Sequence, residues 1–333
     1  MCRESYREEP SNRKRTFTLV SRPTTVEVGL PMPGCYAAFH KQLGDLTLLE
    51  PSLSKLRDFH GAPVRLFTRG GHAALIELMP GVCQARPPAL TPASDIYCFD
   101  PLSKSAFRAL TTPVARRHLI IPERRELRWF HPWLFARPVT PELGSSYVAE
   151  FFWNHTPVRS ASPFRPPVLT PPPDSWAPPG IVSRSFILVN ATAGWRMKLW
   201  SPTGWAATIR SLGTKVPIVL TRGGNDWQAA HCDQIAALTS DVARIVPTSL
   251  KEFLWLCANA RAVLTVDGSA SHLAAAFGTP AVTLFGPTNP DHWHRPGPQH
   301  LAVCAPVGGD PAPILRDFDP APFIAAVRTL DLG

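Results

Sequence analysis

Three turns in this 333-residue chain gather residue types that could act on a phosphate-bearing substrate. The first, Lys41-Gln42-Leu43-Gly44-Asp45, puts a carboxylate where a strand-like run gives way to a helix. The second runs from Asn190 to Pro202; it begins small and hydroxyl-bearing around Thr192 and turns basic at Arg196 and Lys198. The third, Asp267-Gly268-Ser269 with Ser271 and His272 behind it, joins a short β-rich run to an Ala-rich helix. A strand–turn–helix unit presents bare backbone N–H groups and the positive end of a helix dipole just past the strand, a place that suits a phosphate. Asp45 reads two ways. A carboxylate with an ordinary pKa of about 4 can accept a proton from an attacking hydroxyl late in a transfer. It can equally be a helix cap or a first-turn acid facing the dipole. Lys198 and Arg196 could oppose charge on a departing phosphate, or could be solvated loop cations. His272 alone would be a satisfied structural group.

Those turns need elements to hold them. Short apolar runs at Tyr36–Phe39, Pro63–Thr68 and Ile96–Phe99 read as strands, with a helix between the first two carrying Leu46, Leu49, Leu53 and Leu56 at helical spacing. Beyond residue 180, Phe186–Asn190, Pro217–Thr221, Arg244–Val246, Ala262–Val266 and Ala281–Phe285 are again strand-like. Helical stretches at Thr203–Leu212, Trp227–Leu238, Leu250–Ala260 and Ser271–Phe277 alternate with them. Alternation of this kind predicts α/β architecture with two Rossmann-like βαβ domains built on parallel sheets. Thr156 to Gly180 is so rich in proline that it should run as an extended, semi-rigid connector. The expected layout is an N-terminal extension over 1–34, a first domain over 35–156, a linker over 157–180 and a second domain over 181–333.

The long stretch around the third turn resembles the donor-binding half of the family-9 glycosyltransferases, the heptosyltransferases of lipopolysaccharide inner core. The residues that carry the likeness are Asp267, Gly268-Ser269, Ser271-His272-Leu273, Gly278-Thr279-Pro280 and Leu284-Phe285-Gly286-Pro287-Thr288. Gly44-Asp45 and Lys198-Leu199-Trp200 fall at matching places, and the likeness runs from Tyr36 to Pro296, strongest in the second half. It implies a GT-B fold, with the two domains facing each other across an active-site cleft. It implies an inverting glycosyltransferase that moves a heptose or related sugar from a nucleotide donor, ADP-heptose in this family, to a lipopolysaccharide-core or other glycan acceptor. Asp45 would then be the general base and Lys198 the catalytic cation. The donor would contact Asn190, Thr192, Arg196, Asn225, Asp226, Thr248, Asp267, Gly268, Ser269, Ser271 and His272. Lys41, Arg69, Arg124 and Arg125 are weaker acceptor-side candidates. No cofactor and no metal is expected.

Composition agrees with such partners. With 44% hydrophobic and 18% charged residues, the chain is globular and not disordered. Its formal net charge of +9 favours anionic ligands, among them nucleotide diphosphates, anionic glycolipid and membrane surface. The seven cysteines lack any Cys-x-x-Cys pair, which fits reduced thiols. His292 and His294, two apart with no third ligand nearby in sequence, read as loop polar groups and not as a metal site. The first residues lack an apolar signal core, and no run approaches the ~20 residues needed to span a bilayer. A cytoplasmic protein, peripheral to the inner membrane at most, is expected. The basic run Arg116-Arg117, Arg124-Arg125 and Arg128, beside Trp129, Phe130 and Trp133, reads as a surface patch for an anionic acceptor or membrane. Charge and aromatic stacking could also suit nucleic acid, but no RNA- or DNA-binding motif accompanies the patch and no nucleic-acid partner is expected. Two other functions share the architecture: a catalytically inactive polyanion-binding protein on a GT-B scaffold, and a sugar-nucleotide epimerase.

Overall fold

The computed structural model describes residues 34–86, 92–122, 126–135, 138–139, 143–144, 146–213, 216–222, 224–239, 243–306 and 315–330. The expected N-terminal extension lies outside them, apart from Gly34, as do Arg124 and Arg125.

The described residues hold two six-stranded, wholly parallel sheets. The first uses β1 (Cys35–Ala38), β2 (Val64–Phe67), β3 (Val82–Gln84), β4 (Ala93–Cys98), β5 (Val114–Ile120) and β6 (Pro138–Val139), in the order β3-β2-β1-β4-β5-β6. The second uses β7 (Ile187–Asn190), β8 (Ile218–Arg222), β9 (Ala243–Pro247), β10 (Ala262–Val266), β11 (Ala281–Phe285) and β12 (His300–Cys304), in the order β12-β11-β10-β7-β8-β9. Both follow the doubly wound pattern, whose order reverses between its first and fourth strands, and ligands bind in the crevice outside the strand ends at that reversal. In the first sheet the crevice lies between β1 and β4, where Ala38 pairs with Cys98. In the second it lies between β7 and β10, where Asn190 pairs with Thr265. The strands flanking each crevice end nearly level, so the loops that follow them emerge side by side.

The crossover helices are α1 (Leu43–Leu48), α2 (Glu50–His60), α3 (Ala73–Glu77), α4 (Ser103–Thr111), α5 (His131–Leu134) and α6 (Val148–His155) in the first half. The second half has α7 (Pro202–Leu212), α8 (Asp226–Leu238), α9 (Leu250–Asn259), α10 (Ser269–Phe277), α11 (Pro290–Trp293) and α12 (Pro320–Thr329). Local chemistry starts them where they start. Ser201 caps α7 by accepting from the Gly204 N–H at 3.1 Å, with Pro202 in its first turn. Ser249 and Glu252 form a capping box on α9. Gly278 ends α10 in the left-handed region, at φ 72°. The single helix expected over Leu46 to Phe59 is two, broken at Leu49, because Pro51 fits the first turn of a new helix better than the interior of an old one.

One difference concerns the basic run. Arg116 and Arg117 belong to β5, and although the Arg116 side chain is 64% exposed, both guanidinium groups are engaged within the domain. Arg116 donates to the buried Asp95 carboxylate at 2.8 Å, and Arg117 Nε donates to the Ala109 carbonyl at 2.6 Å. A strand reading Val-Ala-Arg-Arg-His-Leu-Ile looks like a charge run until Asp95 on the neighbouring strand is seen to use the charge.

The connector does more than span. A single apolar cluster takes in Leu46, Leu49 and Leu53 of the first half, Leu169 and Trp176 of the connector, and Leu254, Trp255 and Leu273 of the second. The connector is strapped to both halves: the Leu169 N–H donates to the Ala276 carbonyl at 3.1 Å, and the Thr170 N–H to Leu78 at 2.9 Å. Its strongest tie is ionic. Glu50 is buried at 1% exposure, and Arg165 donates to both its oxygens, at 2.7 and 2.8 Å. Ser54 Oγ and the Val168 N–H donate to the same carboxylate. Arg165→Ala strands a buried carboxylate, and should lower unfolding free energy by about 2–3 kcal/mol in urea melts; this is below the ~3–5 usual for a broken buried pair, since the guanidinium itself is partly in water.

Candidate active site

The loops leaving β7 and β10 meet at the second crevice, and they are the second and third turns singled out above. Lys198, in a short 3₁₀ turn over Arg196–Lys198, donates from Nζ to Asp267 Oδ2 at 2.5 Å. Thr288, beyond β11, donates from Oγ1 to the same oxygen at 2.6 Å. Asp267 is 2% exposed, so a lysine and a hydroxyl satisfy a carboxylate that water barely reaches. Immediately after Asp267 the backbone enters α10, which starts at Ser269 with no side chain capping its first-turn N–H groups. Gly268 is extended, at φ −175°, a conformation open to any residue; a Cβ there would make only ordinary contact, 3.5 Å from Ala193.

The first turn faces this cluster from the other sheet. Helix α1 packs across α10. A Cβ on Gly44 would lie 2.8 Å from His272 Cδ2 and 3.1 Å from Ser269 Cα, too close for any side chain. The next residue is Asp45. Burial pushes its carboxyl above the usual carboxylate range; Lys41, the Gln42 N–H and Lys198 pull it down, and Asp267 adds to the rise. Lys198 and Asp267 thus both lie near enough to Asp45 to act on its charge. His272 is buried behind them at 7% exposure. Its imidazole is pushed down to about 4, chiefly by burial, with Asp267 opposing and Lys198 and His294 reinforcing. It is therefore a neutral hydrogen-bonding group at pH 7.

The remaining expected residues divide by what they touch. Asn190 Nδ2 donates to Thr221 Oγ1 at 2.8 Å, tying the ends of β7 and β8 together. Thr192 is buried in the loop after β7. Ser271 Oγ donates to the Gly268 carbonyl at 2.8 Å and so closes its own turn. Asn225 caps α8 by accepting from the Gln228 N–H at 3.1 Å, and Asp226 is exposed in that helix's first turn. Thr248 follows β9 and is partly exposed. Arg196 is exposed and lies over the Trp227 ring, 5.5 Å from its centroid, apart from the Asp267 cluster. On the acceptor side, Lys41 pairs with Glu126 at 3.1 Å, and Arg69 Nε donates to the His40 carbonyl at 2.5 Å. His292 and His294 are held by backbone carbonyls, of Gly144 and His300 respectively. Among the described residues, no group of three or more His, Cys, Asp or Glu is arranged to hold a metal ion.

Sequence reasoning missed the cluster at the first crevice. Asp100, just past β4, accepts from the His40 N–H at 2.6 Å, from Ser105 Oγ at 2.8 Å and from the Leu102 N–H at 2.8 Å. His40 Nδ1 lies 2.8 Å from Ser105 Oγ. These bonds lock the loop after β1, and with it the approach to Asp45. His40 and Asp100 are 60 residues apart, which left no local signal. Thr288 had one: a hydroxyl three residues past a buried strand of the same sheet.

Residues 163–311 match the model of glycosyltransferase family 9 (heptosyltransferase). The matched stretch is a little under half of the chain, and over it the chain resembles a family-9 glycosyltransferase domain. It is 30% identical over 109 residues to lipopolysaccharide heptosyltransferase 1 of Salmonella typhimurium, a match that covers 33% of this chain and 34% of that protein. It is 27% identical over 165 residues to lipopolysaccharide heptosyltransferase 3 of Escherichia coli, covering 46% of this chain and 48% of that one. The matched part is thus less than half the length of either curated relative. The fold match is broader. The solved ADP-heptose lps heptosyltransferase II of E. coli superposes with TM-score 0.70 at 18% identity, over 90% of this chain and 98% of that one. The E. coli heptosyltransferase WaaC with ADP gives 0.69 at 16%, over 89% and 99%. At these identities the likeness concerns the fold alone, and that fold is GT-B, two α/β units each on a parallel sheet.

Gly44→Ala tests whether the close approach of α1 to α10 matters to this glycosyltransferase fold. The added methyl must push the two helix starts apart, and overpacking of this kind costs about 1–3 kcal/mol. A lowered melting temperature, with far-UV circular dichroism at 20 °C unchanged, is the expected result.

Proposed function

We propose that this chain is an inverting glycosyltransferase that moves a heptose from a nucleotide diphosphate donor, ADP-heptose, to a hydroxyl of a lipopolysaccharide-core glycan. The observation that carries the reading is the meeting of Asp45, Lys198 and Asp267 beside the bare N-terminus of α10, in the crevice of a family-9-like domain. The donor diphosphate would lie against the first turn of α10 and the loop after β7, where backbone N–H groups and Lys198 oppose its charge. The acceptor hydroxyl would arrive from the side of α1. Its oxygen forms a bond to the anomeric carbon from the face opposite the diphosphate, and its proton passes to the Asp45 carboxylate. The bond between the anomeric carbon and the phosphate oxygen breaks, and the diphosphate leaves with the electron pair. Lys198 meets the charge that this oxygen gains, which a metal supplies in other transferases. Asp267 holds Lys198 at the crevice and is held by Thr288, so the cation is placed before the donor arrives. His272, neutral, is suited to a sugar or phosphate oxygen. On this reading the glycan is borne by a lipid at the cytoplasmic face of the inner membrane, where the chain works as a peripheral protein. No helix among the described residues is long and apolar enough to cross a membrane.

Lys198→Ala should lower kcat about a hundredfold, equivalent to ~3 kcal/mol, with donor Kd from calorimetry changed far less. Equal loss in Kd and kcat/KM, with kcat intact, would assign the lysine to ground-state binding alone.

Asp45 must be deprotonated to accept a proton. Because burial raises its carboxyl, the acid limb of the kcat/KM profile should fall at a pH above the usual carboxylate range of about 4. Asp45→Asn keeps the shape and should reduce turnover by roughly 10²–10⁴ with nucleotide affinity retained. Activity within a few-fold of the wild type would contradict the base and favour a polyanion-binding role.

A further inference from the structure

The described surface of the first domain carries a cluster that the proposed chemistry does not use. Trp129 and Trp133 are 84% and 88% exposed, and Phe107 and Leu110 on α4 are 56% and 64% exposed. Scattered single apolar residues on a surface are ordinary; four large ones on two adjoining elements are not. They do adjoin: α5 packs on α4. The base of the Arg128–Phe135 segment is fixed. His131 is buried at 1%, with Nδ1 accepting from the Arg128 N–H at 3.0 Å and a second ring bond to the Pro101 carbonyl. Phe135 is buried behind it. The two indoles therefore stand out from a segment whose other side chains hold it against the domain.

We propose that this face, α4 with the Arg128–Phe135 segment, docks on an anionic lipid bilayer. Indoles favour the zone where headgroups meet acyl chains, and Leu110 and Phe107 supply apolar surface to lie beneath them. The charge around them has one sign. Lys104 and Arg128 are exposed, and Arg108 lies over the Phe107 ring, 5.6 Å from its centroid. Among the described residues from Pro101 to Phe135 the only carboxylate is Glu126, which is paired with Lys41. Each exposed cation near an anionic leaflet adds electrostatic attraction that salt weakens. A second copy of this chain is disfavoured as the occupant, since a two-fold interface would set this cationic face against itself. A nucleic-acid platform would use the indoles but not Leu110 or Phe107 on α4. The face also lies at the right place. Helix α4 follows β4 and Asp100, so a docked bilayer lies beside the first crevice, the side from which the acceptor would come. The inference deepens the proposed function in naming the surface that meets the membrane, and its test needs neither donor nor turnover.

Full-length protein would be sedimented with vesicles of phosphatidylglycerol and phosphatidylethanolamine, and separately with phosphatidylcholine vesicles. Binding is expected to the first and to be weak to the second, falling as salt rises. The Trp129→Ser/Trp133→Ser double variant should bind the anionic vesicles at least tenfold more weakly, with its melting temperature and its calorimetric ADP affinity unchanged. Lys104→Glu/Arg128→Glu should remove most of the salt dependence. The proposal is overturned by a wild-type chain that fails to sediment with anionic vesicles, or by a double variant that binds them as well as wild type. It is also overturned if the tryptophans are needed for a lipid-free dimer in sedimentation velocity, or if they bind single-stranded RNA more tightly than they bind vesicles. Loss of vesicle binding with ADP affinity intact separates this surface from the donor site.

Discussion

How near the first turn of α1 can come to the first turn of α10 controls the cleft. Each helix begins just past a crevice of its own sheet, and only a residue without a side chain lets them touch, since a Cβ on Gly44 would strike His272 and the backbone of Ser269. That contact continues into the apolar cluster behind it, where Leu46 and Leu49 join Leu273, Leu254 and the connector's Leu169. The Lys198–Asp267 pair and Asp45 lie beside that contact.

The two carboxylates are treated differently. Asp267 is tied down by Lys198 and Thr288, while Asp45 is raised by burial with Lys41, the Gln42 N–H and Lys198 acting against the rise. His272, buried behind them, carries no charge at neutral pH, so it adds a hydrogen-bonding group without repelling Lys198. The cation is thereby confined to one position at the mouth of α10. Packing of α1 on α10 and the Asp100 cluster at the loop after β1 hold the opposing carboxylate in register with it.

The turns and their neighbouring strands were legible because each is a local event. Val266-Asp267-Gly268 is a strand end, a polar break and a helix start within a few residues, and the Ser249–Glu252 cap is just as short. That the turns after β7 and β10 lie side by side was implied by two βαβ units, and the register of Asn190 against Thr265 makes it concrete. What could not be read depends on partners distant in the chain. Arg116 is a strand residue because Asp95 awaits it, and the His40–Asp100–Ser105 bonds join loops 60 or more residues apart. Lys198 was expected to be available to a phosphate; its bond to Asp267 crosses 69 residues and turns it into part of a prepared cluster. Arg196, the other cation of that loop, lies instead over Trp227, and no local pattern separates the two. β12 and α12 lie beyond Pro296, where the motif likeness ends, and have weak local signals, so only the sheet and its packing reveal them.

The central claim is that a nucleotide diphosphate lies at the second crevice, against the start of α10 and within reach of Lys198. A crystal structure of the full chain grown with ADP tests it most directly. The account predicts diphosphate density between the loop after β7 and Ser269, with Lys198 Nζ within hydrogen-bonding distance of a phosphate oxygen and the adenosine toward the ends of β8 and β9. ADP bound elsewhere, or a crevice that stays empty at saturating ADP while Lys198 remains on Asp267, would contradict it.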